Sequence, residues 1–169
     1  MSEETKGADN NQRLLAAARE DNEDLLQEVF SEGGYDINFH DGLGNTALHY
    51  AVSHGSTDVL ELLLEHDGCD VDPINRLEKA TPLLLAVQLE NKALRKHVIN
   101  SLLEAGADTR IKDKNGDTVL SFLSDTPEDR EIKDMLRKSQ AQAAVSMDDV
   151  ASDGEEGSGS SSGSGSDED

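Results

Sequence analysis

Apolar and polar positions in this chain form pairs of short helical stripes punctuated by glycine, and the pair recurs. In the stretch 41–72, DGLGNTALHYAVSHGSTDVLELLLEHDGCDVD, Asp41, Gly42, Gly44 and Asn45 are turn residues. Glycine and asparagine tolerate positive φ, so the stretch opens as a tight hairpin-like loop. Thr46 has the chemistry to N-cap a short helix through Leu48, Ala51 and Val52. Gly55 ends that helix, and Ser56 is placed to cap a second one in which Val59, Leu60, Leu62, Leu63 and Leu64 make a wide apolar stripe. Gly68 closes it. A loop and two antiparallel helices cannot bury so much leucine alone, which predicts neighbours of the same kind on both sides.

With Thr46 as phase marker, equivalent positions fall at Gln12, Thr81 and Thr118, at spacings of 34, 35 and 37. The third copy reads Thr81-Pro82-Leu83-Leu84 and ends Leu102-Leu103-Glu104-Ala105-Gly106-Ala107-Asp108, and the fourth opens Lys112-Asp113-Lys114-Asn115-Gly116-Asp117-Thr118. In phase, glycines and leucine stripes the chain resembles the ankyrin-repeat family, whose period is about 33 residues. The resemblance implies an all-α ankyrin-repeat solenoid of about four helix-turn-helix repeats, near 12–40, 41–75, 76–112 and 113–140, with hairpin-like loops between them. Residues 1–11 lack apolar periodicity and are expected to fray. After Ala151 only Ser, Gly, Asp and Glu occur, too little apolar surface to offset chain entropy, so 141–169 is expected to be a disordered acidic tail.

Each copy departs from the pattern in its own way. The first enters through Gln12-Arg13-Leu14-Leu15 instead of Thr-Pro, and its outward positions are charged, as an end repeat requires. The third has Lys79 where the family usually has glycine, and about four extra residues, Ala93 to Lys96, able to lengthen either of its helices. In the fourth, Val119, Leu120, Phe122 and Leu123 predict a short helix, and Thr126-Pro127-Glu128-Asp129 reads as an N-cap, a proline at the first helical position and acids in the first turn.

Charge narrows the class of partner. The formal net charge is −21 over 169 residues. Between Arg19 and Arg76 there are 14 acids and no Lys or Arg, whereas from Arg76 to Lys138 the two signs nearly balance. Such a surface repels nucleic acid and anionic membrane and attracts a basic protein segment over a Debye length of about 8 Å. No apolar run approaches the roughly 18 residues of a membrane helix, and the opening MSEETKGADNN is not a basic-then-apolar export signal. A monomer in the cytoplasm, the nucleus or both is expected. Cys69 is alone, so no internal disulfide forms, and a small, buried, inert side chain is expected there.

Sharper chemistry finds little support. His40, His49 and His54 lack a Cys or acid at zinc-like spacing, and the resemblance gives His49 a different role, tying adjacent loops together by hydrogen bonds. The glycines of 157–165 have neither the strand, the helix nor the GKS or GKT of a phosphate loop. No metal, cofactor or enzymatic activity is expected. Acids three residues after Ser146, Ser152, Ser164 and Ser166 suit an acidophilic kinase of the casein kinase 2 type.

The resemblance places a partner across the loop tips and the inner helices. Carried over by position, the inner-helix residues are Arg19, Glu20, Tyr50, Ser53, His54, Leu85, Gln88, Leu89, Phe122 and Asp125. The tip residues are Phe39, His40, Leu43, Asn45, Arg76, Leu77, Lys79, Lys112, Lys114 and Asp117, and charge adds Asp21, Glu23 and Asp24 beside Glu20. In layout the chain is similar to small fungal ankyrin-repeat proteins that guard a ribosomal protein, which implies escort of a basic client such as a ribosomal protein or a histone. The alternative is a regulatory adaptor or inhibitor masking a site on a neutral partner such as a kinase.

Overall fold

The computed structural model, which describes residues 3–153, is helical apart from one isolated bridge between His40 and Thr46. Its helices are α1 Glu3–Glu20, α2 Glu23–Glu32, α3 Ala47–Ser53, α4 Thr57–Glu65, α5 Pro82–Ala86, α6 Lys92–Glu104 and α7 Pro127–Asp153, with a 3-10 turn at Val119–Phe122. The chain divides into two compact units, the first ending at Lys133 and the second starting at Asp134. In the first, α1, α3 and α5 pack in one row and α2, α4 and α6 in another. Alanines at 17, 18, 47, 51 and 86 are fully buried along the first row, where small side chains let backbones approach closely, and Leu26, Val29, Val59, Leu60, Leu63, Ile99 and Leu102 fill the second.

The phase markers do what their chemistry predicts. The Thr46 and Thr81 hydroxyls accept the amides of His49 and Leu84 at the starts of α3 and α5. The Thr118 amide donates to Ser121 Oγ at 3.1 Å ahead of the 3-10 turn. Gln12, in contrast, lies inside α1, so the first repeat has no loop of its own. Ser56 stands at the N-cap of α4 without a capping side-chain bond; the Val59 amide is taken instead by Asp21 Oδ1 of the preceding repeat, at 3.1 Å.

Two helices outrun the apolar pattern, α1 over 3–11 and α7 over 141–153. Asn10 is buried and donates to the Gly33 carbonyl at 2.7 Å, and Asn11 Oδ1 accepts the Asp36 amide at 2.7 Å, so polar side chains tie the second half of this stretch to the end of the first repeat. Downstream of 140 the run Ala-Gln-Ala-Ala-Val-Ser-Met contains strong helix formers, and adding a residue to an existing helix costs far less than starting one. The rest of the expected tail, 154–169, lies outside the described residues. The extra residues of the third repeat resolve in favour of its second helix: α6 has 13 residues against 9 in α4, starting from an Asn91 cap.

Three loops repeat one construction. Asp41–Asn45, Asn75–Ala80 and Asp113–Asp117 are each closed by a backbone bond from the first amide to the last carbonyl, at 3.0, 3.1 and 2.9 Å. In each, the first side chain folds over the tip and accepts two amides: Leu43 and Asn45, Glu78 and Ala80, Asn115 and Asp117. The loops stack through matching bonds, Arg76 N–H to the Leu43 carbonyl and Lys114 N–H to the Glu78 carbonyl, both 2.9 Å. Close stacking explains Gly44, where a Cβ would fall 2.7 Å from the Arg76 nitrogen.

The middle loop is one residue longer, and Lys79 there holds φ +53°, at the position where Gly44 and Gly116 both hold +81°. A side chain in that left-handed region is disfavoured. Lys79→Gly is expected to raise the unfolding free energy by about 0.5–1 kcal/mol, the strain relieved exceeding glycine's entropic cost. Thermal unfolding should show it as a Tm about 2–4 °C higher.

Candidate partner-binding surface

The surface is built outward from Tyr50 on α3. Its hydroxyl donates to the Asp41 carboxylate at the base of the first loop, the Arg19 guanidinium lies over its ring at 5.1 Å from the centroid, and His54 stands one turn on at 6.1 Å. Asp41 feels opposing influences. Burial pushes its pKa up, but the Tyr50 hydroxyl, the Asn45 and Leu43 amides and the Arg19 charge outweigh that and hold it below the ordinary value. The phenol moves the other way, raised by burial and by its bond to Asp41. One cluster therefore joins the inner-helix row to a loop tip, bringing together Arg19, Tyr50 and His54 of the sequence-derived set.

The other expected residues divide by exposure. Ser53, Gln88, His40, Leu43, Arg76, Leu77, Lys79, Lys112 and Lys114 are exposed, and Phe39, Asn45, Leu85, Leu89, Asp117 and Phe122 are half-buried. Two are occupied locally: Gln88 Nε2 donates to the Leu84 carbonyl and Asn45 Oδ1 accepts from Asn75. All four acids at the α1–α2 corner, Glu20, Asp21, Glu23 and Asp24, are exposed, Glu23 and Asp24 in the first turn of α2, where negative charge suits the helix dipole. Asp21 is committed to the Val59 amide. Ser146 and Ser152 fall on α7, and Ser164 and Ser166 lie outside the described residues.

Much of the acidity has structural employment that composition does not reveal. Asp36, Asp70 and Asp108 each accept the amide two residues on, at 2.9, 3.0 and 2.9 Å. The amides of the same three residues are taken by Asn11, Asn38 and Asp72, one repeat earlier, so a ladder of side-chain to backbone bonds stitches successive repeats. The recurrence Gly34-Tyr-Asp36, Gly68-Cys-Asp70, Gly106-Ala-Asp108 was the available signal. Sequence reasoning also misses Ile74 and Leu120, exposed at 52% and 48%. In a 3-10 turn with three residues per turn, Leu120 leaves the apolar face that a wider helix would give it.

His49 is buried, accepts the Thr46 amide through Nδ1 at 3.1 Å and reaches the Ala80 carbonyl through Nε2 at 2.9 Å, the loop-tying position that the family resemblance assigns to it. Cys69 is half-buried, and burial with the Asp70 charge beside it pushes its thiol up to about 11, far from a nucleophilic thiolate at neutral pH. No group of His, Cys, Asp or Glu among the described residues could hold a metal ion, and no helix among them is long and apolar enough to cross a membrane.

Comparison with known proteins agrees with this geometry. A family model described as Ankyrin repeats (3 copies) matches residues 14–113. The chain is similar to the ankyrin repeat-containing protein YGL242C of Saccharomyces cerevisiae, at 38% identity over 122 residues covering 66% of this chain and 67% of that protein. It is also similar to ankyrin repeat and SOCS box protein 6 of Mus musculus, at 38% over 93 residues, 54% of this chain and 21% of that one. Among solved structures, an ankyrin repeat domain from Acinetobacter baumannii superposes with a TM-score of 0.67 at 29% identity, over 75% of this chain and 63% of its own.

Proposed function

The chain belongs to the ankyrin-repeat family, a fold that typically serves as a non-catalytic protein–protein interaction module, and from that premise we propose that it binds and escorts a basic protein client such as a ribosomal protein or a histone, in the cytoplasm or the nucleus. One observation carries the reading. Glu20, Glu23 and Asp24 are exposed at the α1–α2 corner, at the head of a stretch with no Lys or Arg before Arg76. Fixed charge on a folded surface both steers a cationic partner and complements it after docking. A second reading, masking of a site on a neutral partner such as a kinase, is favoured by the exposed Leu43 and Leu77 at adjacent loop tips, which suit apolar anchoring.

Salt separates the two. Affinity capture from cell extract is expected to recover basic proteins at low ionic strength and to lose them steeply as salt rises. Replacing Glu20, Glu23 and Asp24 by their amides should slow association with a recovered client about tenfold at low salt, more than removal of 154–169 does. Asp21 stays unchanged in that variant because the Val59 amide depends on it. Capture of neutral or acidic proteins alone, at yields indifferent to salt, would end the escort reading and leave the masking one.

A further inference from the structure

Basic side chains in the later repeats differ in their pairing. Four on α6 and the adjoining start of α7 are paired: Lys92 with Glu128 at 3.8 Å, Arg95 with Asp129 at 2.8 Å, Lys96 with Glu131 at 2.7 Å and Lys133 with Asp125 at 3.4 Å. Arg76 and Lys79 on the second loop, Lys114 on the third and Lys112 just before it are exposed and pair with no carboxylate among the described residues. In a chain with 36 acids and 15 Lys and Arg, four neighbouring cations without partners run against the composition.

The loops are built so that those charges stay free. Asp113 is occupied by the Asn115 and Asp117 amides, and Glu78 and Asp117 are half-buried and pair with no cation among the described residues. The Lys114 amide bonds the Glu78 carbonyl, which sets the two tips side by side. The second loop is a residue longer than its neighbours and keeps Lys79 left-handed where both of them use glycine. Strain at an exposed side chain that fills no core marks a place where the side chain itself is used. Leu77 at the same tip is 66% exposed.

We propose that the tips of the Asn75–Ala80 and Asp113–Asp117 loops form a cationic docking surface for an acidic peptide segment of a partner protein, with Leu77 seating an apolar residue of that segment. The surface lies two repeats along the chain from the acidic corner, is opposite to it in sign, and stands whether or not that corner escorts a basic client. An acidic peptide fits better than nucleic acid. A duplex carries a charge every ~1.7 Å and meets the full repulsion of a −21 protein, whereas a short peptide brings few charges and can add an apolar contact.

The test uses the full chain and a fluorescent octapeptide of glutamates with one central leucine, read by anisotropy at low salt, with oligouridylate of equal charge as competitor. The peptide is expected to bind and the oligonucleotide to compete poorly. Lys79→Gly should weaken binding about two- to fivefold while raising Tm, a combination that loss of fold cannot produce. Arg76→Ala, Lys79→Gly and Lys114→Ala together should weaken it at least about tenfold. Lys92→Ala with Lys96→Ala removes two cations that are already paired and should leave affinity unchanged. Absence of peptide binding, a triple variant that binds like the parent, a Lys92/Lys96 variant as weak as the triple one, or preference for the oligonucleotide would each overturn the proposal.

Discussion

Replacing Asp129 by alanine is expected to lower the unfolding free energy by about 3–5 kcal/mol, the cost of removing one member of a buried ion pair. Asp129 is 5% exposed and holds three donors: the Ser124 amide and hydroxyl, both at 2.8 Å, and Arg95 at 2.8 Å. Its own amide donates to Thr126 Oγ1 at 3.2 Å, in the first turn of α7. Its pKa lies below the ordinary 3.8, chiefly because the Ser124 amide bonds the ionised form; burial opposes this, and the Ser124 hydroxyl and the Arg95 charge reinforce it. The Asp129 carboxylate therefore stabilises the fold above about pH 3.8, and that contribution is lost as pH falls through the depressed value. Arg95 has its side chain 15% exposed and its Nε buried without a hydrogen-bond partner, so it rests on this one carboxylate. Urea unfolding of Asp129→Ala, Arg95→Met and the double variant measures the coupling. The double variant should be more stable than Asp129→Ala, because it no longer buries an unpaired guanidinium. A loss below about 1 kcal/mol in Asp129→Ala would show the pair to be a surface contact in effect.

That pair also explains what could and could not be read from the sequence. Thr46 and Thr81 were legible because an N-cap is a local event: a hydroxyl meets an amide three residues away. The loops were legible for the same reason, Asp41 and Asp113 folding over tips within four residues. The use of the extra residues Ala93 to Lys96 was not. Arg95 meets a carboxylate 34 residues downstream, and Lys96 one 35 away, distances over which apolar periodicity carries no information. Locally they join α6, which starts from the Asn91 cap on the Leu94 amide at 3.0 Å, but their ion pairs are made across the next repeat.

Acidity misled in a related way. A count of carboxylates cannot separate Glu20, which is exposed, from Asp21, which caps α4 of the next repeat, or from Asp72, which accepts the Asp108 amide at 3.0 Å. Asp72 is also held above its ordinary pKa, first by burial and then by the charges of Asp108 and Asp70. The acidic half is thus partly a structural ladder, and the exposed acids outside that ladder include Glu20, Glu23 and Asp24 at the α1–α2 corner and Asp58, Glu65 and Asp67 on and just after α4. Lys79 shows the converse. The departure from glycine was visible in sequence, but only the left-handed backbone shows that the loop keeps its geometry against the side chain's preference.

His49→Ala is expected to destabilise the array by about 2–5 kcal/mol, since it leaves the Thr46 amide and the Ala80 carbonyl without these partners in a buried setting, at about 1–3 kcal/mol each. The geometry also fixes the tautomer. Nδ1 accepts the Thr46 N–H, so the proton sits on Nε2 and is donated to Ala80 across the repeat boundary. A second proton on Nδ1 would point at an N–H. Burial lowers the imidazole pKa below its ordinary 6.5, and the carbonyls of Ala80 and Pro73 with the charges of Asp41 and Glu78 offset part of that shift. Because the folded value is depressed, the neutral ring's contribution is complete above about pH 6.5 and is lost as pH falls below it toward the folded value. Urea midpoints for parent and variant should therefore converge as pH falls below about 6.5, the parent losing stability that His49→Ala no longer has to lose. His49→Gln, which can restore a donor to Ala80, should fall between them. Profiles that run parallel through that fall in pH would show that the ring titrates freely and does not tie the two repeats.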